Sequence, residues 1–439
     1  MSLAQELAQE LVDLILDFLY DDSDSLLSSS LVARKWVPAA RYHLFQRIVL
    51  NHWHCVPGSG YSFQGSAYRF LNICTLPECT IISSIQEVVL NIDNEHSDSE
   101  AEAGWVVPGL LEELIRVIAA APLAKLVYID HTKSWNDPIA LTWIAPRFPR
   151  LRQFTYNALD RFLSDALALV ASFPELEVLS LYSTTLEDNF EEAIMPPKPY
   201  PVSPPNTLSS LHTLRLQLFS HQPEEFMAWL LTFGDRIRLE MLDLDLVHYY
   251  HNGWGRVDAL NAYFNLNGAH LRNFGLRLHY EDNSELDVET FLSRESDGDL
   301  NLSNLINLHI LSLSTHNVKA VCTALSSLPL PSSADPPNHL HSLEVSFREW
   351  IHIYQVQCPC DPVVLVQDFA DAMSGEQFAR LAEFTILVPV FFGENGAKAL
   401  RAYFPRWKET DIMRVGFIEE RRFPADSWER LKDELSGER

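Results

Sequence analysis

The residue types best suited to chemistry are histidines and cysteines that cluster near the N-terminus. His52, His54 and Cys55 lie together, and Cys74 and Cys79 follow in the same region. Imidazole nitrogens and thiolates are ligands that zinc prefers, and a structural zinc site needs four of them. None of the spacings is the paired Cys-x-x-Cys of zinc knuckles. Ordinary loop and core roles explain these residues more simply, so we expect no metal site.

A second group of histidines lies in the middle of the chain. His248, His251 and His270 accompany two tyrosines and Trp254. They could line a polar and aromatic ligand groove, although contact residues of a protein-binding surface have the same composition. The chain contains no nucleophile elbow, phosphate-binding loop, dinucleotide-binding glycine motif or His-Glu-x-x-His. We therefore expect a protein that is not an enzyme, with no catalytic residues and no cofactor.

The composition narrows the choice of partners. The chain has 59 acidic and 33 basic side chains, which gives a net charge of -26. Such a surface repels phosphate backbones and anionic membranes. No apolar run approaches the ~20 residues of a membrane span, and the N-terminus lacks the basic start of a signal peptide. We expect a cytoplasmic or nuclear protein that binds other proteins.

The N-terminal 50 residues predict three short helices. Apolar residues within 7–19 recur at the spacing of one helix face. The acidic turn Asp21–Asp24 ends this helix and can cap a second one, which we predict to run from Leu26 to Trp36. Pro38 suits the first turn of a third helix. So few residues close only a marginal core, and such a module usually needs a partner or a docked neighbour.

Three sequence blocks in this module carry a family resemblance. They are Leu7-Ala8-Gln9-Glu10-Leu11, Ile15-Leu16-Asp17-Phe18-Leu19 and Leu31-Val32-Ala33-Arg34-Lys35-Trp36. Their order and spacing resemble the F-box, and residues 41–50 are similar to the F-box-like proteins of mushroom-forming (basidiomycete) fungi. The chain departs from that pattern at Ala8, where the family has proline, and at Ala33, where it often has cysteine. A second frame that begins at Leu3 would place Trp36 four residues too far away.

The resemblance implies that the module binds the adaptor subunit of a cullin-based, SCF-type ubiquitin ligase. The matching positions divide between the module's core and the adaptor contact: Leu7, Ala8, Glu10, Leu11, Ile15, Leu19, Leu31, Val32 and Trp36. The chain would then be a substrate receptor for ubiquitin-dependent degradation of a protein target that the sequence does not name. The alternative is a scaffold outside any ligase, in which the helices only cap the repeats that follow.

A repeated template fills most of the remaining chain. The pattern Leu-x-x-Leu-x-Leu, with any large apolar residue allowed, opens at Ile85, Leu123, Leu151, Leu176, Leu211, Leu239, Leu271, Leu308, Leu340 and Leu381. Its alternation predicts short strands with one face inward. Helical spacing recurs between these strands, at Leu111-Leu114-Ile118, Leu163-Leu167-Val170, Phe226-Leu230-Phe233, Val257-Leu260-Phe264, Val318-Cys322-Leu325 and Val366-Phe369-Met373.

These units resemble leucine-rich repeats, although loosely. Their openings lie 25 to 41 residues apart, whereas the family repeats every 20 to 29 residues. The asparagine or cysteine that follows the family template is missing from all ten. We predict an α/β fold: an open, right-handed, leucine-rich-repeat-like solenoid with a curved parallel sheet, preceded by the all-α module. A closed α/β domain with buried parallel strands is the alternative.

Four segments are expected from this pattern. They are the F-box-like module (1–50), a joint (51–84), the irregular solenoid (85–415) and a C-terminal cap or tail (416–439).

Overall fold

The structure is a computed structural model. It describes residues 7–19, 22–50, 55–56, 62–63, 66–76, 79–92, 108–130, 147–158, 170–183, 208–219, 222–248, 257–280, 300–314, 318–330, 340–346, 362–389, 393–407 and 412–418. The chain forms two compact units, Met1–Leu211 and His212–Arg439. Each is described by itself.

The first unit begins with the helical module. Its helices are α1 (Gln9–Asp17), α2 (Ser23–Ser30) and α3 (Val37–Gln46), with a short 3-10 helix at Arg34–Trp36. They close over a small core that consists of Val12, Leu16, Leu26, Trp36 and Ala40. The expected cap of α2 is present, since the Asp22 carboxylate accepts hydrogen bonds from the Ser25 backbone N–H at 3.0 Å and from its hydroxyl. Pro38 lies in the first turn of α3, as predicted.

The second helix is shorter than predicted. It ends at Ser30, and Trp36 belongs to the 3-10 helix instead. Ala33 is extended, with φ -156° and ψ 149°, which separates the two elements. The serine at the end of α2 favours this early end of the helix, because a serine hydroxyl can take the place of a backbone N–H as a hydrogen-bond donor. The Ser30 hydroxyl donates to the Leu27 carbonyl at 2.6 Å. Leu31 and Val32 consequently lie in a turn rather than on a helix face.

The first unit continues with a parallel sheet. Its strands are β1 (Arg47–Leu50), β4 (Glu87–Ile92), β5 (Lys125–Asp130), β6 (Gln153–Ala158) and β7 (Val178–Ser183), paired in that order. A small antiparallel pair, β2 (Cys55–Val56) and β3 (Ser62–Phe63), follows β1. Helices α4 (Ser66–Cys74) and α5 (Pro108–Ile118) lie between strands in the chain.

The second unit repeats this arrangement. Its seven parallel strands are β8 (Thr213–Phe219), β9 (Met241–His248), β10 (Asn273–Tyr280), β11 (Ile310–Ser314), β12 (Ser342–Ser346), β13 (Glu383–Pro389) and β14 (Met413–Ile418). The intervening helices are α6 (Gln222–Leu231), α7 (Asp258–Asn267), α8 (Val318–Ser326), α9 (Pro362–Met373) and α10 (Gly393–Ala402). Five of the six predicted helix faces coincide with α5 to α9, and Leu163 and Leu167 lie outside the described residues.

The repeat template locates the strands. Each of its ten openings lies two residues before a strand, and all thirty of its apolar positions are buried. In eight of the ten repeats, the carbonyl of the residue just before the strand accepts two N–H groups of the next repeat. The Arg272 carbonyl, for example, accepts from His309 at 2.7 Å and from Ile310 at 3.0 Å. Where it occurs, this shared acceptor places the start of the new strand beside the previous strand.

Two strands of the parallel sheets were not expected, and neither was the small antiparallel pair. β1 follows the same template, as Phe45-x-x-Ile48-x-Leu50, but these residues had been assigned to the helical module. In β14, Met413 pairs with Phe384, so the opening position of the template is occupied by Thr410. Because the template requires an apolar residue at that position, it did not predict this strand.

The described parts therefore form an α/β fold in which parallel strands follow chain order. Within the described residues of either unit, the first and last strands do not pair with each other, so neither sheet closes into a barrel. The predicted limits of the four segments stay predictions.

Candidate functional site

Helix α1 is apolar on two faces. Val12 and Leu16 point into the module core, whereas Leu11, Leu14, Ile15 and Phe18 face solvent. These four follow the i, i+3, i+4, i+7 spacing, which places them on one outer face of the helix. An outward row of this kind has no role in closing the module.

The end of α2 exposes a second apolar group. Leu27 lies on the helix, and Leu31 and Val32 lie in the turn that follows it. We call these three residues, together with Leu11, Leu14, Ile15 and Phe18, the exposed apolar set. Their exposed fractions run from 39% at Ile15 to 86% at Leu31. Exposed large apolar residues gathered on one small module are typical of a protein-binding surface.

The structure divides the nine residues that the resemblance selects. Leu11, Ile15, Leu31 and Val32 belong to the exposed apolar set, and Ala8 and Glu10 are exposed beside them in sequence. The other three point inward: Leu7 and Leu19 pack against the core, and Trp36 is buried within it.

Sequence analysis missed three members of the surface. The spacing within 7–19 predicts a single apolar face, which includes Leu14 and Phe18, whereas the structure exposes both; Leu27 lies on the second helix, as predicted, but faces solvent. A helix with apolar residues all round offers two possible inner faces. Val12 and Leu16 are four residues apart, but so are Leu11 and Ile15, so the spacing alone does not tell which face is buried.

Ala8, where the family has proline, adopts a backbone that proline also adopts. Its φ is -60° and its ψ is 147°, and its carbonyl accepts from Leu11 and Val12 at 3.1 Å as the N-cap of α1. No acceptor for the Ala8 N–H lies among the described residues. The entry into α1 therefore has the backbone shape that a proline at position 8 would impose.

Polar contacts hold the module together. The His43 Nε2 atom lies 2.9 Å from the Asp17 carboxylate, which ties α3 to α1. The Lys35 ammonium donates to the Leu7 carbonyl, which ties the 3-10 helix to the start of α1. These contacts, together with the apolar core, fix α1 relative to the turn that follows α2.

The sheet of the second unit presents charged residues on the face opposite its core. On β9, Asp243 and Asp245 flank the buried Leu244, and both approach Arg277 of β10, at 3.2 Å and 4.0 Å. The Asp243 carboxylate lies over Gly275, where a Cβ atom would be 2.5 Å from its Oδ1 atom. Arg215 of β8 is in register with Asp243, so two acidic and two basic side chains lie on this part of the face.

The two histidine-containing candidates gain no support. His52, His54 and His251 lie outside the described residues, and in the described part of the chain no three His, Cys, Asp or Glu side chains could hold a metal ion. Burial raises the pKa of the Cys74 thiol to about 12, which favours the neutral thiol over the thiolate that zinc binds. His270 is exposed in the 3-10 helix Gly268–His270.

Comparison with known proteins adds no relative. The chain matches no protein-family model and no curated protein. Among the described helices, none is both long and apolar enough to cross a membrane.

Proposed function

We propose that this protein is the substrate receptor of a cullin-based ubiquitin ligase. The helical module would bind the ligase adaptor, and the repeat region would bind the protein to be degraded. The function is then positioning, because a receptor that holds both partners raises the effective concentration of a target lysine near the ligase. The chain itself performs no chemistry in this scheme.

The observation that carries the proposal is the exposed apolar set. Removing apolar surface from water is the main favourable term in association, and these seven side chains still expose 39% to 86% of theirs. Aromatic and aliphatic residues dominate such interfaces, and here Phe18 and Leu31 are the most exposed. The family's adaptor contact uses the same sequence blocks that supply Leu11, Ile15, Leu31 and Val32.

The same observation argues against a purely capping role. A cap buries its apolar face on the first repeat, and Ile15 and Leu31 would then be covered. Instead, α3 is the helix that joins the module to the sheet, since the Gln86 backbone N–H donates to the Gln46 carbonyl at 2.9 Å. The outer faces of α1 and the turn after α2 stay available for another protein.

We also propose the finer description of the fold and its origin. A strand, helix, parallel-strand unit is right-handed in nearly all proteins, so the repeats in each unit would wind as a right-handed, leucine-rich-repeat-like solenoid. The three sequence blocks and residues 41–50 support membership of the F-box-like proteins of mushroom-forming fungi.

Co-purification with the adaptor subunit tests the proposal. The test variant carries Ile15→Asp and Leu31→Asp, which place charges on both parts of the exposed apolar set. The matched control is Leu330→Asp, an equally drastic change at a residue of the second unit that is 70% exposed. Circular dichroism establishes that all three proteins are folded.

We expect the wild type and Leu330→Asp to retain the adaptor, and the double variant to lose it. Capture of all three proteins alike would place the contact elsewhere on the chain. No capture by folded wild-type protein would remove the ligase connection and leave a binding scaffold.

A further inference from the structure

Serine residues line the face of the second unit's sheet opposite its core, where β11 and β12 pair. Side chains alternate between the two faces of a strand, and the leucines and the valine of these strands are buried in the core. Ser312 and Ser314 of β11 therefore point away from the core, as do Glu344 and Ser346 of β12. The parallel register places Ser312 beside Glu344 and Ser314 beside Ser346. We call these four residues the serine square; their Cα atoms are ~4.8 Å apart between the strands and ~6.6 Å apart along each strand.

Two hydroxyls of the serine square are enclosed but make no bond. Ser314 and Ser346 are each only 5% exposed, although they lie on the face opposite the core. Within the described part of the chain, neither hydroxyl has a hydrogen-bond partner. A buried hydroxyl without a partner costs free energy, so this pair indicates a position where a ligand supplies the missing hydrogen bonds.

The serine square carries one carboxylate, and no cation of the described residues pairs with it. The Glu344 Oε1 atom accepts a hydrogen bond from the Ser312 hydroxyl at 3.1 Å. Arg277 of β10 is in register with Ser314, but its guanidinium is paired with Asp243 at 3.2 Å. The charged residues of β8, β9 and β10 on this face balance one another, two acidic against two basic.

The neighbouring strand on the other side is balanced as well. Glu383 of β13 is paired with Arg414 of β14 at 3.2 Å. Glu344 is therefore the charge on this face that a ligand can still neutralise. Beside Ser346 lies Leu387 of β13, which is half-buried and forms an apolar wall of the site.

A lysine side chain matches these groups. Its ammonium is compact and has three donors, which suits one carboxylate and two hydroxyls. Lysine also buries its methylene stem along apolar surface, such as that of Leu387. Arginine fits less well, because its planar fork is suited to a carboxylate with both oxygens available, and one Glu344 oxygen is already engaged by Ser312.

We propose that the serine square binds a lysine side chain of a partner protein. The ammonium donates to Glu344, Ser314 and Ser346, and the stem packs on Leu387. The excess of 59 acidic over 33 basic side chains in the chain attracts a basic segment of this kind. The segment would belong to the protein to be degraded, and in this respect the inference rests on the proposed ligase function.

Fluorescence anisotropy with a fluorescein-labelled hexalysine peptide, in about 150 mM salt to screen distant charges, tests the proposal on the full chain. Glu344→Gln and Ser346→Val should each bind the peptide about tenfold more weakly, because each loses a hydrogen bond to a charged group. Ser346→Val does so without changing the net charge. The matched control is Glu376→Gln, which removes the same charge from an exposed residue in the 3-10 helix Glu376–Phe378 and should bind like the wild type.

Equal binding by wild type and Ser346→Val would overturn the proposal. So would an equal loss in Glu376→Gln, which would reveal a general attraction between charges, or undiminished binding of a hexalysine peptide whose amines are acetylated. Circular dichroism establishes that the variants are folded, and Ser346→Ala replaces the valine variant if that protein does not fold.

Co-purification with the adaptor separates this inference from the proposed function. Glu344→Gln and Ser346→Val should retain the adaptor, because the exposed apolar set is unchanged. Wild-type protein that binds hexalysine but not the adaptor would support the lysine site and remove the ligase connection. Wild-type protein that binds the adaptor but not hexalysine would remove the lysine site alone.

Discussion

The side-chain amide of Gln86 donates a hydrogen bond to the Tyr42 hydroxyl at 2.7 Å. Its amide oxygen accepts from the Gln46 side chain at 3.2 Å, and its backbone N–H donates to the Gln46 carbonyl. Gln86, the residue just before β4, thus makes three hydrogen bonds with α3. The helical module and the first strands of the sheet are joined by hydrogen bonds as well as by the chain that connects them.

Replacing Gln86 with alanine should weaken this junction. Two side-chain hydrogen bonds are lost, and each contributes about 0.5–1.5 kcal/mol to the free energy of unfolding. Urea denaturation of the full chain measures the loss, and limited proteolysis should show faster cleavage between α3 and β4.

Gln153→Ala is the matched control for the junction. Gln153 is an exposed residue at the start of β6, and its side chain makes no hydrogen bond within the described residues. Its replacement should leave the unfolding free energy and the cleavage pattern unchanged. Equal effects of the two variants would mean that Gln86 does not hold the junction.

Replacing Ala8 with proline should stabilise the module. The backbone already has a φ of -60°, and restricting the unfolded chain at a compatible position contributes about 0.4–1 kcal/mol. Under the proposed function, binding of the adaptor should also tighten, because the entry into α1 is fixed beforehand. Thermal unfolding and a titration with the adaptor measure the two effects.

Ala40→Pro is the contrasting variant. Ala40 lies within α3, where proline removes a helix hydrogen bond at a cost of about 3 kcal/mol or more. We expect Ala8→Pro to raise the melting temperature and Ala40→Pro to lower it. A loss of stability in both variants would show that Ala8 does not tolerate proline.

The repeat template predicts which side of a strand tolerates truncation. Leu311 and Ile310 are neighbours on β11, but Leu311 is fully buried and Ile310 is 44% exposed. Leu311→Ala removes core contacts and should cost about 2–5 kcal/mol. Ile310→Ala should cost well under half as much, as measured by urea unfolding. Similar costs at the two positions would contradict the register.

Strand positions could be predicted because their signal is local. The three apolar positions of the template lie within six residues, and together they predict a strand. The structure confirms a strand at all ten templates. β14 was missed since Thr410 replaces the opening residue. The inner face of α1 was ambiguous for a different reason: Val12 and Ile15 are equally apolar, and only packing against Trp36 and Ala40 decides which one is buried.

Three asparagines of α7 make hydrogen bonds that the sequence did not predict. On α7, Asn261 accepts from the Asn301 backbone N–H at 2.9 Å, and the Asn265 side chain accepts from Asn304 at 2.6 Å. The buried Asn267 donates to the Gly234 carbonyl at 3.1 Å. These bonds link the helix to the segments before and after it. These hydrogen bonds join residues 33 to 40 positions apart, so no local sequence pattern predicts them.

Adding a methyl group at Gly275 should disturb the charged cluster on the outer face of the second unit's sheet. The new Cβ would lie 2.5 Å from the Asp243 Oδ1 atom, so the carboxylate must move, and its 3.2 Å contact with Arg277 is strained or lost. We expect Gly275→Ala to cost about 1–3 kcal/mol in the free energy of unfolding. In an Asp243→Ala background the same change should cost much less, because the carboxylate that it displaces is absent. The difference between the two costs, measured by urea unfolding, is the coupling energy of the pair. Equal costs in both backgrounds would show that Gly275 is needed for some other reason than to accommodate Asp243.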